Sequence, residues 1–148
     1  MLKRTIEGLF VGGFIAALPL FLVAPANAQI TNEIKADIPH SFTIVNTTLP
    51  AGRYDFRMVR NSDLQVMTVQ SQNGDVAAEF LVRQSDDNHT PKHTELVFNR
   101  YGNREFLEKV YESGNKIGVA VNEPSRDEQM MESQGQHAME HTETEQGW

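Results

Sequence analysis

The chain contains no cysteine. That excludes disulfides, thiolate nucleophiles, thiolate metal sites and a lipid-modified N-terminal cysteine. It also has no glycine-rich phosphate loop or dinucleotide fingerprint, since its glycines stand singly and are expected at turns. No serine occupies a Gly-x-Ser-x-Gly elbow. A basic stripe is missing too: the formal net charge is −7, which argues against a nucleic-acid backbone as partner. Past the first 28 residues no apolar run is long enough to span a bilayer.

What is present begins with a leader. Lys3 and Arg4 form a positive start, and Gly8 to Ala24 holds only Gly, Pro and apolar side chains. Ala26-Asn27-Ala28 supplies small residues where signal peptidase needs them, so cleavage is expected between Ala28 and Gln29. The expected organisation is a signal peptide at 1–28, a β domain at 29–121, and an acidic, largely disordered tail at 122–148. The mature protein is expected to be exported and soluble, in a periplasm or outside the cell. A disulfide-free domain of this size must rest on its hydrophobic core.

The body alternates like a sheet protein. Ile34, Ala36 and Ile38 alternate with Lys35 and Asp37, and Pro39 then interrupts the ladder. Phe42 to Val45 continues as a strand. Leu49-Pro50-Ala51-Gly52 predicts a turn with positive φ at Gly52, before Tyr54, Phe56 and Met58 share a strand face. Leu64 to Val69 and Val76 to Val82 flank Asn73-Gly74, the signature of a type I′ hairpin. Leu96 to Tyr101, Phe106 to Tyr111 and Ile117 to Val121 come next, separated by Gly102-Asn103 and Ser113-Gly114-Asn115. Seven or eight short strands without an amphipathic helix between them predict an all-β fold, a small antiparallel sandwich or barrel.

From Asn122 to Trp148 one Arg stands against seven Asp and Glu. Ser125 ahead of Arg126-Asp127-Glu128 can cap one or two helical turns. Gly135 would weaken them, and the polar remainder predicts disorder.

Ile-Pro at 38–39, Leu49 to Gly52 with Tyr54, Leu96, Phe98, Arg100 to Gly102, Phe106, Leu107, and Ser125, Arg126 and Glu128 form a set of spaced motifs. In these the chain resembles a group of small exported proteins common in Acidobacteria-type genomes. The resemblance covers about Ile34 to Glu128 and implies export and an all-β body; it carries no active site. His40 departs from that pattern, standing where the group usually has Phe.

Several constellations bear on chemistry. His40 and Ser41 are neighbours on an extended segment, so their side chains should point apart, and no hydrolase is expected. Glu105, Glu108 and Glu112, with Arg104 and Lys109, predict a solvated strand face rather than a paired-carboxylate site. In Arg100-Tyr101-Gly102 the glycine turns the hairpin, the tyrosine packs and the arginine stem covers apolar surface. His137 and His141 would share a face if the tail were helical. With Met130, Met131, Met139 and nearby carboxylates they suit copper or zinc. His89 and His93 straddle Pro91 and are not expected to be helical. Ordering a flexible tail opposes binding, so no metal is expected and His137 and His141 stand only as candidates.

The leading expectation is an exported soluble β domain with a structural or binding role in the cell envelope. Its partner would be an envelope protein or a small ligand. The alternative is a periplasmic copper- or zinc-binding protein using the His/Met/acidic tail. An enzyme is not expected, and no cofactor is implied.

Overall fold

The computed structural model describes residue 30 and residues 33–61 and 64–145. The expected leader, 1–28, lies outside the described residues. Ten strands and one helix run in order: β1 Ile34–Ile38, β2 Phe42–Ile44, β3 Thr47–Leu49, β4 Gly52–Asn61, β5 Leu64–Ser71, β6 Val76–Asp86, β7 Glu95–Tyr101, β8 Arg104–Tyr111, β9 Ile117–Val121, α1 Arg126–Ser133 and β10 Met139–Thr144. The all-β expectation holds. β3 and β10 are strands that the apolar pattern does not give, because each carries few apolar residues.

Hydrogen bonding joins the strands in the order β1-β4-β5-β6-β9-β8-β2-β3, with β7 on β8 and β10 on β7. All of these neighbours are antiparallel except β2 and β8, which meet in parallel where Thr43 stands beside Phe106. The sheet closes over its own core at two places. β6 pairs with β5 along Val76 to Leu81 and with β9 along Val82 to Asp86. Pro39, which has no N–H to give a ladder, ends β1 on β4 and releases the chain toward β8.

Side chains from both halves therefore meet in one core containing Ile38, Phe42, Tyr54, Phe56, Met67, Phe98, Leu107 and Val110. Phe42 stands edge-on to Tyr54 at 5.3 Å and to Phe98 at 5.8 Å. Burying each such ring contributes about 1.5–3 kcal/mol. Three consecutive buried residues in β7 (Leu96, Val97, Phe98) and in β9 (Gly118, Val119, Ala120) mark strands covered on both faces.

Two turns differ from expectation. Gly52 takes no positive φ; it opens β4 opposite Ile38, and the turn is instead closed by the Tyr54 hydroxyl donating to the Pro50 carbonyl at 2.7 Å. At Asn73-Gly74 only Gly74 takes positive φ, +83°. Its N–H bonds the Ser71 carbonyl at 2.8 Å and Ser71 bonds Asp75, giving a three-residue loop with a glycine bulge rather than a two-residue I′ turn. Between β2 and β3, Val45 sits at φ +53°, a conformation that β-branched residues resist.

Among the described residues the tail holds the short helix that Ser125 announces and, where disorder was expected, a strand. Ser125 caps α1, its hydroxyl accepting from the Glu128 N–H at 3.0 Å. Gly135, at φ +80°, does not weaken the helix but ends it: Gly135 N–H bonds Glu132 and Gln136 N–H bonds Met131, a Schellman motif. The chain then reverses, and β10 pairs with β7 over six residues, from Met139 opposite Arg100 to Thr144 opposite Glu95. Composition missed this because a strand added to a sheet edge is held by backbone hydrogen bonds, not by apolar side chains.

Candidate functional site

β10 decides where the site lies. In its ladder His141 stands opposite Phe98 and Glu143 opposite Leu96. Paired residues of antiparallel strands project to the same face, so His141 and Glu143 share the face that carries two core residues. His40 reaches the same place from the other direction, on the segment released at Pro39. Its ring stands edge-on to Phe98 at 5.2 Å and lies 5.4 Å from the His141 ring. Two imidazoles thus stand over Phe98 at the rim of the core.

The polar contacts are dense. The Nε2 atoms of His40 and of His141 each lie 3.3 Å from Glu143 Oε1. His141 Nδ1 lies 3.2 Å from Glu105 Oε1 and 2.8 Å from Arg100 Nη2, while Arg100 Nε donates to Glu105. His40 Nδ1 is 3.4 Å from the Ser41 carbonyl. A carbonyl only accepts, so Nδ1 carries the proton in that contact. The other ring nitrogen, Nε2, faces the Glu143 carboxylate oxygen. Among the described residues that buried Nε2 is left without a hydrogen bond. One nitrogen of each histidine and one oxygen of Glu143 lie within 4.8 Å of one another.

The sequence-level candidates divide accordingly. His141 belongs to the site, but through a strand rather than a helix. His137 does not join it: it is exposed in the connection between α1 and β10, so the two histidines never share a helix face. Met130 and Met139 are exposed. His89, in a loop, lies 3.4 Å from both Asp87 and Glu95. Glu105, expected on a solvated face, is 5% exposed. Its ionic partners Arg100 and His141 account for that burial. Arg100 is correspondingly a bridging cation rather than a cover for apolar surface. One signal could have found the site: the His141-x-Glu143 alternation, which a strand places on one face.

A second group of polar side chains joins α1 to β7 and β8. The Asn99 amide donates to Glu128 at 2.8 Å, the Tyr101 hydroxyl donates to Glu132 at 2.8 Å, and Arg104 donates to Asp127. Burial, aided by Glu132 and Glu108, pushes the Glu128 carboxyl above its ordinary value despite the bonds from Asn99 and the Ser125 backbone. Burial likewise pushes the Tyr101 phenol up. Every member has a partner, so this group docks the helix.

Searches against family models, curated proteins and solved structures give no match to this chain. Among the described residues no helix is long and apolar enough to cross a membrane.

Proposed function

We propose that this chain is an exported cell-envelope protein whose work is binding, carried out at the rim where His40, Arg100, Glu105, His141 and Glu143 converge. Export rests on the leader pattern and on the resemblance to small exported proteins. The observation that carries binding is the buried Nε2 of His40, which lies 3.3 Å from a carboxylate oxygen and yet makes no hydrogen bond among the described residues. A cluster that served stability alone would satisfy such an atom, because an unpaired buried polar group costs about 1–3 kcal/mol. Functional sites are where proteins retain that cost.

The site joins three stretches far apart in sequence, at His40, at Arg100 and Glu105, and at His141 and Glu143 on β10. Nothing in it supplies an activated nucleophile, and Glu105 and Glu143 are both engaged by histidine nitrogens. Binding is the chemistry these groups support.

The test is recovery of the native protein from the envelope of its own cells, with intact mass and analysis of what accompanies it. A chain beginning at Gln29 in the exported fraction, carrying a stoichiometric small ligand, ion or protein that a His40→Ala/His141→Ala variant lacks, is the expected result. A chain retaining residues 1–28, or identical companions on wild type and variant, overturns the proposal.

A further inference from the structure

Resting on that reading of the rim as a binding site, we infer that its ligand is a divalent transition-metal ion of the zinc class. His40 Nε2, His141 Nε2 and a Glu143 carboxylate oxygen would hold the ion, with a fourth position open. Three features lead there. The first is spacing. A tetrahedral ion with bonds of about 2.0–2.1 Å keeps its ligand atoms roughly 3.3–3.4 Å apart. Both Nε2–Oε1 distances are 3.3 Å, so two edges of the tetrahedron are already set. The third edge, between the imidazoles, lies within the 4.8 Å span of the group.

The second feature is orientation. A histidine that binds metal through one nitrogen usually donates its other N–H to a carbonyl or a carboxylate, which fixes the tautomer and turns the free lone pair to the ion. His40 does so through Nδ1 to the Ser41 carbonyl. His141 has Glu105 at 3.2 Å from Nδ1. Arg100 also reaches that nitrogen, at 2.8 Å, and donates to it only when Nδ1 is bare. With an ion on Nε2, Nδ1–H turns to Glu105 while Arg100 stays on the same carboxylate.

The third feature is charge and donor type. Glu105 and Glu143 face the site with Arg100, leaving one uncompensated negative charge for a dication. Two imidazoles and a carboxylate are a borderline donor set that suits zinc; thioether sulfur, which would favour copper(I), is absent from the described group, and Met139 is 64% exposed.

The ion would also fasten β10. β10 has no buried residue and adds nothing to the core cluster. Its ladder to β7 must offset the entropy of ordering the strand with backbone hydrogen bonds of modest net worth. An ion bridging His40 to two β10 side chains binds the docked strand and not the detached one, so it stabilises docking by mass action.

The experiment uses the exported protein, stripped with a chelator and titrated with Zn(II) against a chromophoric competitor and with Co(II) followed by its visible spectrum. One ion per chain bound tighter than about 1 μM, a tetrahedral Co(II) spectrum and slowed amide exchange along β10 are expected. His40→Ala, His141→Ala and Glu143→Gln should each weaken zinc at least 100-fold, and His137→Ala should not. Unfolding midpoints of the stripped variants separate a lost ligand from a lost fold. Zinc binding that survives His40→Ala and Glu143→Gln in folded protein, or no saturable binding, overturns the inference. If zinc fails while another companion is lost from the His40→Ala/His141→Ala variant, the metal assignment falls and the binding reading stands.

Discussion

His40 and His141 address the same carboxylate oxygen, each Nε2 standing 3.3 Å from Glu143 Oε1. One ring arrives by way of Pro39, where β1 ends; the other arrives on β10, the last strand among the described residues. Their meeting point is Phe98, whose ring underlies both at 5.2 and 6.4 Å. The site is therefore built on the core rather than hung from a loop, and its geometry depends on both ends of the fold being in place.

Glu105 would be the positioning residue for the proposed ion, since it touches His141 and not the other two proposed ligands. Glu105→Gln keeps size and hydrogen bonding but removes the charge that favours the Nδ1–H tautomer. Loss of such a partner typically lowers metal affinity 10- to 100-fold. The competition titration should show that loss with stoichiometry unchanged. Unaltered affinity in the Gln variant would mean that Glu105 does not orient His141.

Phe98 is 0% exposed and touches Phe42 as well as the two histidines. Phe98→Ala should destabilise the protein by about 3–5 kcal/mol, through lost transfer energy and the cavity left behind. Urea unfolding measures it. A change below about 1 kcal/mol would show that the ring is not the base of the rim.

The body was legible in the sequence because its strands obey period two. Ile34, Ala36 and Ile38 are buried and Lys35 and Asp37 exposed, as the alternation requires. Where strands are covered on both faces the alternation disappears, and so the buried Glu105 looked like part of a solvated face. The site was half legible. His141 was singled out with a helical partner, His137, because the two stand four residues apart, the spacing of one helix face. The Schellman motif at Gly135 stops the helix, and the edge of β7 makes a strand of residues 139–144. That edge is a feature of the folded sheet, invisible from those six residues alone. His40 stood out beside Ser41 and as a departure from the pattern of the resembling group, and neither reading joins it to His141 or Glu143.

Gly118 shows the same limit. Its glycine neighbours in sequence sit at turns, but Gly118 is in the middle of β9 and buried. A β-carbon there would fall within contact distance of the Val110 carbonyl oxygen and of Tyr111, whose Cε1 would be only 2.8 Å away. Backbone cannot yield as a flexible side chain does. Gly118→Ala should therefore cost about 1–3 kcal/mol or more, against a near-zero effect expected at an open strand glycine. Thermal or urea unfolding decides it; a stable Ala variant would mean that β9 does not lie this close to β8.

A pH dependence is expected at the helix dock, away from the proposed ion. Glu128 is 4% exposed and its carboxyl is held above the ordinary value, first by burial and then by the neighbouring charges of Glu132 and Glu108, against the bonds from Asn99 and the Ser125 backbone. An acid whose folded pKa is raised binds its proton more tightly in the native state than in the unfolded chain. Stability from this group is thus greatest at low pH and falls as pH rises from the ordinary value of 4.5 through the raised one. Glu128→Gln removes the titration while keeping an oxygen to accept from Asn99 and a residue type suited to the third position of a capping box. Relative to wild type, the Gln variant should therefore gain stability as pH rises above 4.5, with the difference levelling once wild-type Glu128 is ionised. Urea midpoints across that range measure the difference. A gap that is constant, or that shrinks as pH rises, would show that the carboxylate is better solvated or better paired beneath α1 than its burial implies.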